Sequence, residues 1–77
     1  MEIKKDYNMA LKFAYQCGAE KVANPGNPDC NVRESQSGFA SYAGSNSFND
    51  LTLEQQKDFF REWQRGIKDE KKLCGLA

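Results

Sequence analysis

The fold of this 77-residue chain is decided by two short stretches, AYQCG at residues 14–18 and FFREWQRG at residues 59–66. In the first stretch, Ala14 and Gly18 are four residues apart, so a helix places both on one face, where they leave a shallow groove. In the second stretch, the large ring of Trp63 can settle into that groove, and the glycine that ends the stretch lets the two backbones approach. The two stretches therefore predict a pair of packed helices.

Apolar and small residues extend the first helix in both directions. They recur at steps of three and four, which makes one apolar face: Tyr7, Ala10, Leu11, Ala14, Cys17, Gly18 and Val22. The helix is predicted to run from about Lys4 or Asp6 to about Val22. The segment NPGNPD at residues 24–29 then ends it, because proline disfavours helix in the residue before it and Gly, Asn and Asp favour turns.

The last helix has a clear start and a clear end. Thr52 and Gln55 form a capping box, in which each side chain bonds the backbone N–H of the other residue. The helix is predicted to continue to about Leu73 and to stop at Gly75. Its apolar stripe and the groove on the first helix together form the predicted core: Ala14, Gly18, Phe59, Phe60, Trp63, Gly66 and Ile67. In this packing Trp63 is expected to be among the most buried residues.

The middle of the chain is predicted to be a long loop that carries a short third helix within residues 31–44. Asn31 can cap this helix and Gly44 can close it. Phe48, in the polar connector that follows, is expected to tuck onto the core. The sequence thus predicts one all-α domain over residues 1–77, with two main antiparallel helices at about 4–22 and 52–73 joined by the 23–50 segment.

Composition excludes several classes of function. Eleven basic and eleven acidic side chains cancel, whereas a free-standing nucleic-acid binder usually shows a basic excess. The chain has no histidine, its three cysteines contain no C-x-x-C pair, and no catalytic motif is present, so we expect no metal, no cofactor, no disulfide and no enzymatic activity. No run reaches the roughly 20 apolar residues of a membrane span, and there is no apolar signal core, which predicts a cytoplasmic protein without membrane contact.

Five basic residues of the last helix fall within about a quarter-turn of one another. We call them the basic ridge: Lys57, Arg61, Arg65, Lys68 and Lys72. An acidic row of Asp58, Glu62 and Asp69 lies beside the ridge. Two interpretations stay open for it: a solvated face with intrahelical ion pairs at Glu54–Lys57, Asp58–Arg61 and Glu62–Arg65, or a surface that docks on an acidic partner or on phosphate.

The aromatic, glycine and proline positions of the two stretches and the turn between them resemble the ribosome modulation factor family of very small bacterial and phage proteins. The matching positions are Tyr15, Gly18, Asn27, Pro28, Phe59, Trp63 and Gly66. The resemblance implies a helix pair and binding to the RNA of the small ribosomal subunit. Two positions depart from the pattern: Glu62 stands where a glycine often precedes the tryptophan, and Asp29 replaces an aromatic or hydrophobic residue. The founding member is strongly basic, whereas this chain is neutral.

The sequence therefore favours a non-enzymatic regulator or inhibitor, of phage or mobile-element type, that docks on a host protein assembly through its charged last helix. The alternative is a ribosome- or rRNA-binding hibernation factor, as the resemblance implies. A third hypothesis is self-association that completes a small core.

Overall fold

The computed structural model describes residues 7–27, 31–73 and Gly75. Helices α1 (Tyr7–Ala23), α2 (Val32–Tyr42) and α3 (Leu53–Leu73) follow one another along the chain, and a single 3-10 turn at Phe48–Asp50 precedes α3. The described ranges contain no strand. The predicted all-α fold, with two main helices and a shorter one between them, is confirmed. The predicted first turn at 4–6, the family-pattern positions 28 and 29, and the cysteines at 30 and 74 lie outside the described residues.

Side-chain and glycine caps delimit α2. The Asn31 Oδ1 accepts a hydrogen bond of 2.8 Å from the Glu34 backbone N–H, which satisfies one of the free donors at the start of the helix. At the other end Gly44 takes a φ of 87°, and Ser45 donates its N–H to the Ala40 carbonyl at 2.8 Å. This geometry is a Schellman motif. It favours glycine at the left-handed position, because glycine has no Cβ and so avoids the steric penalty that other residues have there.

The capping box predicted for α3 is present. The Gln55 N–H donates to Thr52 Oγ1 and the Thr52 N–H donates to Gln55 Oε1, both at 3.1 Å. After the helix, Gly75 has a φ of 72° and donates its N–H to the Lys72 carbonyl at 3.2 Å. The limits of α3 are therefore explained by residues within one turn of each end.

The two main helices run parallel, so the predicted antiparallel packing is wrong. Tyr7, the first residue of α1, bonds Asp58 in the second turn of α3, at 2.7 Å. Further along both helices, Tyr15 bonds Asp69. Contacts early in α1 are thus made to the early part of α3, and later contacts to its later part.

Helix α2 accounts for this direction, because it carries the chain back to the end at which α1 began. The Tyr7 ring packs against Phe39, near the end of α2, at 5.9 Å. Cys17, on a later turn of α1, instead lies beside Ser35 in the first turn of α2. An 11-residue helix spans about 16 Å, long enough to return the chain. The order is therefore up, down, up.

The core lies where the three helices meet. It consists of Ala10, Ala14, Phe39, Ala40, Leu51 and Phe59, and the half-buried ring of Phe48 packs against it as expected. Phe59 is fully buried, whereas Phe60 is 39% exposed, so Phe60 does not belong to the core in which the sequence placed it. Successive helical residues point about 100° apart. Since α1 lies on the Phe59 side of α3, the neighbouring ring is turned outward.

The closest approach of α1 and α3 is made at two glycines, both of them buried. A Cβ added at Gly18 would collide with the Trp63 carbonyl oxygen, and one added at Gly66 would collide with the Tyr15 carbonyl oxygen. The Trp63 ring stacks on Phe59, with centroids 6.3 Å apart. Trp63 is only half-buried, so it is not among the most buried residues as expected, because its backbone rather than its ring lies against Gly18.

Candidate docking surface on the third helix

One side of α3 faces solvent along its whole length. We call it the outer face, and it consists of the exposed residues that precede Leu73: Leu53, Glu54, Lys57, Phe60, Arg61, Gln64, Arg65, Lys68, Lys71 and Lys72. Six of these side chains are basic and one is acidic, although the whole chain is neutral. The five residues of the predicted basic ridge all belong to it. Lys71 was missed, although the same helical geometry places it in line with Leu53 and Gln64.

The acidic row beside the ridge is turned toward α1. The Tyr7 hydroxyl donates to Asp58 Oδ2 at 2.7 Å, and the Tyr15 hydroxyl donates to Asp69 Oδ2 at 2.5 Å. The side chains of Asp58 and Glu62 are only 20% and 14% exposed. The carboxylates therefore act as part of the contact between the helices, which leaves the outer face with its excess of positive charge.

Both tyrosine hydroxyls are affected by these carboxylates. Burial, together with the hydrogen bond to Asp58, raises the pKa of Tyr7 above its ordinary value. The hydrogen bond to Asp69 is the main cause that raises the pKa of Tyr15, with burial second. A neutral hydroxyl is the form that can donate to a carboxylate, so both bonds favour protonated tyrosine.

The arginines of the ridge are held by neighbouring carboxylates. Arg61 lies 2.9 Å from Asp58 and 3.5 Å from Glu62. Arg65 lies 3.0 Å from Glu62, and its guanidinium carbon is 5.9 Å from the centre of the Tyr15 ring. Two of the three predicted ion pairs, Asp58–Arg61 and Glu62–Arg65, therefore form. The two arginine side chains are still 60% and 62% exposed.

The lysines of the ridge have no such anchors. Lys57, Lys68 and Lys72 are exposed and make no ion pair with any described residue, so the third predicted pair, Glu54–Lys57, does not form. These three ammonium groups can meet a partner without first breaking an internal contact.

Apolar side chains border the ridge on one side. Leu53 is 70% exposed and Phe60 is 39% exposed. The Phe60 ring lies edge-on to Phe48, with centroids 6.0 Å apart, which holds it in place at the surface. The structure thus brings cations and apolar groups together on one surface, whereas the sequence had assigned Phe60 to the interior.

The remaining predicted core residues lie along the contact between α1 and α3. Ala14, Gly18, Phe59 and Gly66 are buried, and Ile67 is half-buried. Within the described ranges, no three His, Cys, Asp or Glu side chains converge in a way that could hold a metal ion. None of the described helices combines the length and apolarity that a bilayer span needs.

Comparison with known proteins identifies no relative: no protein-family model matches the chain, and neither a curated protein nor a solved structure gives a significant match. The resemblance to the ribosome modulation factor family therefore stays a prediction. The structure describes one of the two positions that depart from the family pattern. Glu62, which stands where the family often has glycine, pairs with Arg65 at the edge of the helix contact. The backbones approach one turn later, at Gly66.

Proposed function

We propose that this chain is a non-enzymatic binding protein, a small cytoplasmic regulator or inhibitor of phage or mobile-element type, that docks on an acidic face of a host protein assembly through the outer face of α3. The observation that carries the proposal is the segregation of charge: a neutral chain exposes six basic side chains and one acidic side chain on this face. Complementary charge steers association and selects partners.

The apolar border of the ridge favours a protein partner. Leu53 and Phe60 are exposed beside the lysines, and aromatic residues and arginine are enriched at protein interfaces. A phosphate backbone would be bound by the cations alone and would leave these two side chains in water. A protein surface with an apolar patch inside an acidic rim would cover both kinds of group.

Ribosomal RNA is the second candidate, and one observation favours it. Because Asp69 bonds Tyr15 of α1 and the ridge lysines pair with no described carboxylate, phosphate groups can approach Lys57, Lys68 and Lys72 without first displacing an acidic side chain. Repulsion between the acidic row and a phosphate backbone is therefore reduced at these lysines. The family resemblance points to the same partner.

A pair of charge reversals separates the outer face from the rest of the surface. Lys68→Glu changes the face, and Lys21→Glu makes the same change in net charge at an exposed position of α1. Reversal of Arg61 or Arg65 is less suitable, because each would place a new carboxylate beside Asp58 or Glu62. Tagged wild type and both variants are used to capture partners from bacterial lysate, with and without nuclease, followed by mass spectrometry.

We expect a protein that is captured by wild type and by the α1 variant, that is lost with the α3 variant, and that resists nuclease. Capture that disappears after nuclease treatment, with an affinity that falls steeply with salt, would select ribosomal RNA instead. Equal capture by all three proteins would show that the outer face is only solvated. Retention of the folded state is checked by circular dichroism of each variant.

A further inference from the structure

A second feature of the surface has no assigned role: a cavity of about 300 Å³ between α2 and the segment that leads to the 3-10 turn. Its lining is polar apart from one ring: Arg33, Gln36, Ser37, Asn46, Ser47, Phe48 and Asn49. It contains one guanidinium, three carboxamides and two hydroxyls, and no carboxylate. This set of groups suits a negatively charged ligand.

The polar groups of the cavity are available to such a ligand. The side chains of Arg33, Gln36, Asn46 and Asn49 form no hydrogen bond or ion pair with any described residue. A guanidinium can bind a carboxylate through two parallel N–H donors. The carboxamides both donate and accept hydrogen bonds, so they can also pair with the N–H and C=O groups of a peptide backbone. A phosphate backbone offers acceptors only and would leave the carboxamide oxygens unpaired.

The cavity and the outer face of α3 are parts of one surface, because two aromatic rings join them. Phe48 lines the cavity, and its ring packs edge-on against Phe60 of the outer face. A bound segment could therefore contact the lysines of the ridge, cross the two rings and end at Arg33.

We propose that the cavity binds an aspartate or glutamate side chain of an acidic partner peptide, with an apolar partner residue beside it on Phe48 and Phe60. The inference rests on the proposed function and specifies it: the partner presents an acidic, extended segment with an apolar residue next to a carboxylate. Arg33 is the residue that selects the carboxylate.

Nuclear magnetic resonance can test this with defined probes and ¹⁵N-labelled protein. The first probe is a blocked six-residue peptide that carries a central phenylalanine among Asp and Glu, and the second replaces each acid by its amide. A six-nucleotide RNA is the third. The readouts are the side-chain amide signals of Gln36, Asn46 and Asn49, the Nε–H signal of Arg33, and the backbone signals of the outer face.

We expect the acidic peptide to shift both the cavity signals and the outer-face signals, and the amide peptide to shift neither. Arg33→Gln should weaken the acidic peptide about tenfold, as expected for the loss of charge-assisted hydrogen bonds. Lys21→Gln makes the same change in charge at an exposed position on α1 and should leave the affinity unchanged. Arg33→Lys keeps the charge but loses the planar fork, so its affinity for the acidic peptide should lie between those of wild type and Arg33→Gln.

Three results would overturn the inference. Shifts confined to the outer face would remove the cavity from the binding surface and leave the proposed function standing. Equal affinity of wild type and Arg33→Gln would show that the guanidinium selects nothing. If neither set of signals moves with the acidic peptide, or only RNA moves them, the carboxylate site is wrong, and the lysate capture decides the proposed function separately.

Discussion

The hydroxyl groups of Tyr7 and Tyr15 explain how a neutral chain can expose a basic helix face. Each hydroxyl donates to an aspartate of α3, and both aspartates lie on the side of the helix that meets α1. A carboxylate that accepts such a bond is stabilised inside the contact, where an isolated charge would be costly to bury. Positive charge is thus left on the neighbouring, solvent-facing side of the same helix.

Removal of one hydroxyl tests this role. Tyr7→Phe should lower the free energy of unfolding by about 1 kcal/mol at neutral pH, since it deletes a bond to a charged acceptor that is partly exposed. Tyr42→Phe is the matched control, because Tyr42 is 42% exposed and its hydroxyl has no partner among the described residues. Chemical denaturation of the three proteins measures the difference. Equal losses in both variants would contradict the prediction.

The difference in unfolding free energy between wild type and Tyr7→Phe depends on pH in a predictable way. The pKa of Tyr7 is raised in the folded state, whereas the pKa of a tyrosine in an unfolded chain is about 10. The unfolded chain therefore releases this proton first as pH rises, so the contribution of Tyr7 is complete below about pH 10 and is lost above it. The difference between wild type and Tyr7→Phe should be constant from neutral pH to about pH 10 and then shrink.

Each of the two long helices contributes a glycine to their closest contact, so neither of these two positions tolerates a side chain. At Gly18 an added Cβ would also lie 2.9 Å from the Trp63 carbonyl carbon, and at Gly66 it would lie 2.9 Å from the Ala19 nitrogen. Backbone atoms cannot move aside as a flexible side chain can. A methyl group at either position must therefore push the helices apart along their length.

Alanine substitution measures this close approach. Gly18→Ala and Gly66→Ala should each destabilise the protein by about 1–3 kcal/mol through overpacking, more than the roughly 1 kcal/mol that alanine gains in helix propensity. Gly26→Ala is the control: a Cβ there meets nothing within 4 Å, so its stability should be unchanged or slightly higher. Thermal melts that rank Gly18→Ala at or above wild type would show that the backbones are not in contact.

In the molecule as a whole, the parallel course of α1 and α3 places both helix C-termini at one end. Lys21 lies in the last turn of α1, and Lys71 and Lys72 lie in the last turn of α3. Cations stabilise the negative end of a helix dipole, typically by about 0.3–1 kcal/mol each at the surface. These lysines therefore offset the unfavourable alignment of two parallel dipoles, and two of them also extend the outer face.

The direction of the helices can be checked without any substitution. In the up, down, up arrangement, the Tyr7 ring protons should show nuclear Overhauser effects to Phe39 of α2 and to the second turn of α3 around Asp58. An antiparallel pair would instead bring Tyr7 to the last turn of α3 near Lys72. Cross-peaks of that second kind would restore the arrangement that the sequence predicted.

Much of the local structure could be predicted from the residues alone. The caps at Asn31 and at Thr52–Gln55, the glycine stops, and the ion pairs of Arg61 and Arg65 all depend on residues three or four positions apart. Interactions of this range are encoded in a short stretch, whatever the rest of the chain does. The helical class and the basic ridge follow from the same kind of signal.

Tertiary contacts decided the rest. The first and last helices are joined by about thirty residues, and only the packing of α2 on α1 shows that the chain returns before α3 begins. The same packing buries Phe59 and exposes Phe60, and it turns Asp58 and Asp69 toward tyrosines that lie 51 and 54 residues away. Helical periodicity defines a stripe only to within about one residue, or 100°. The side that becomes buried is selected by the neighbour that covers it.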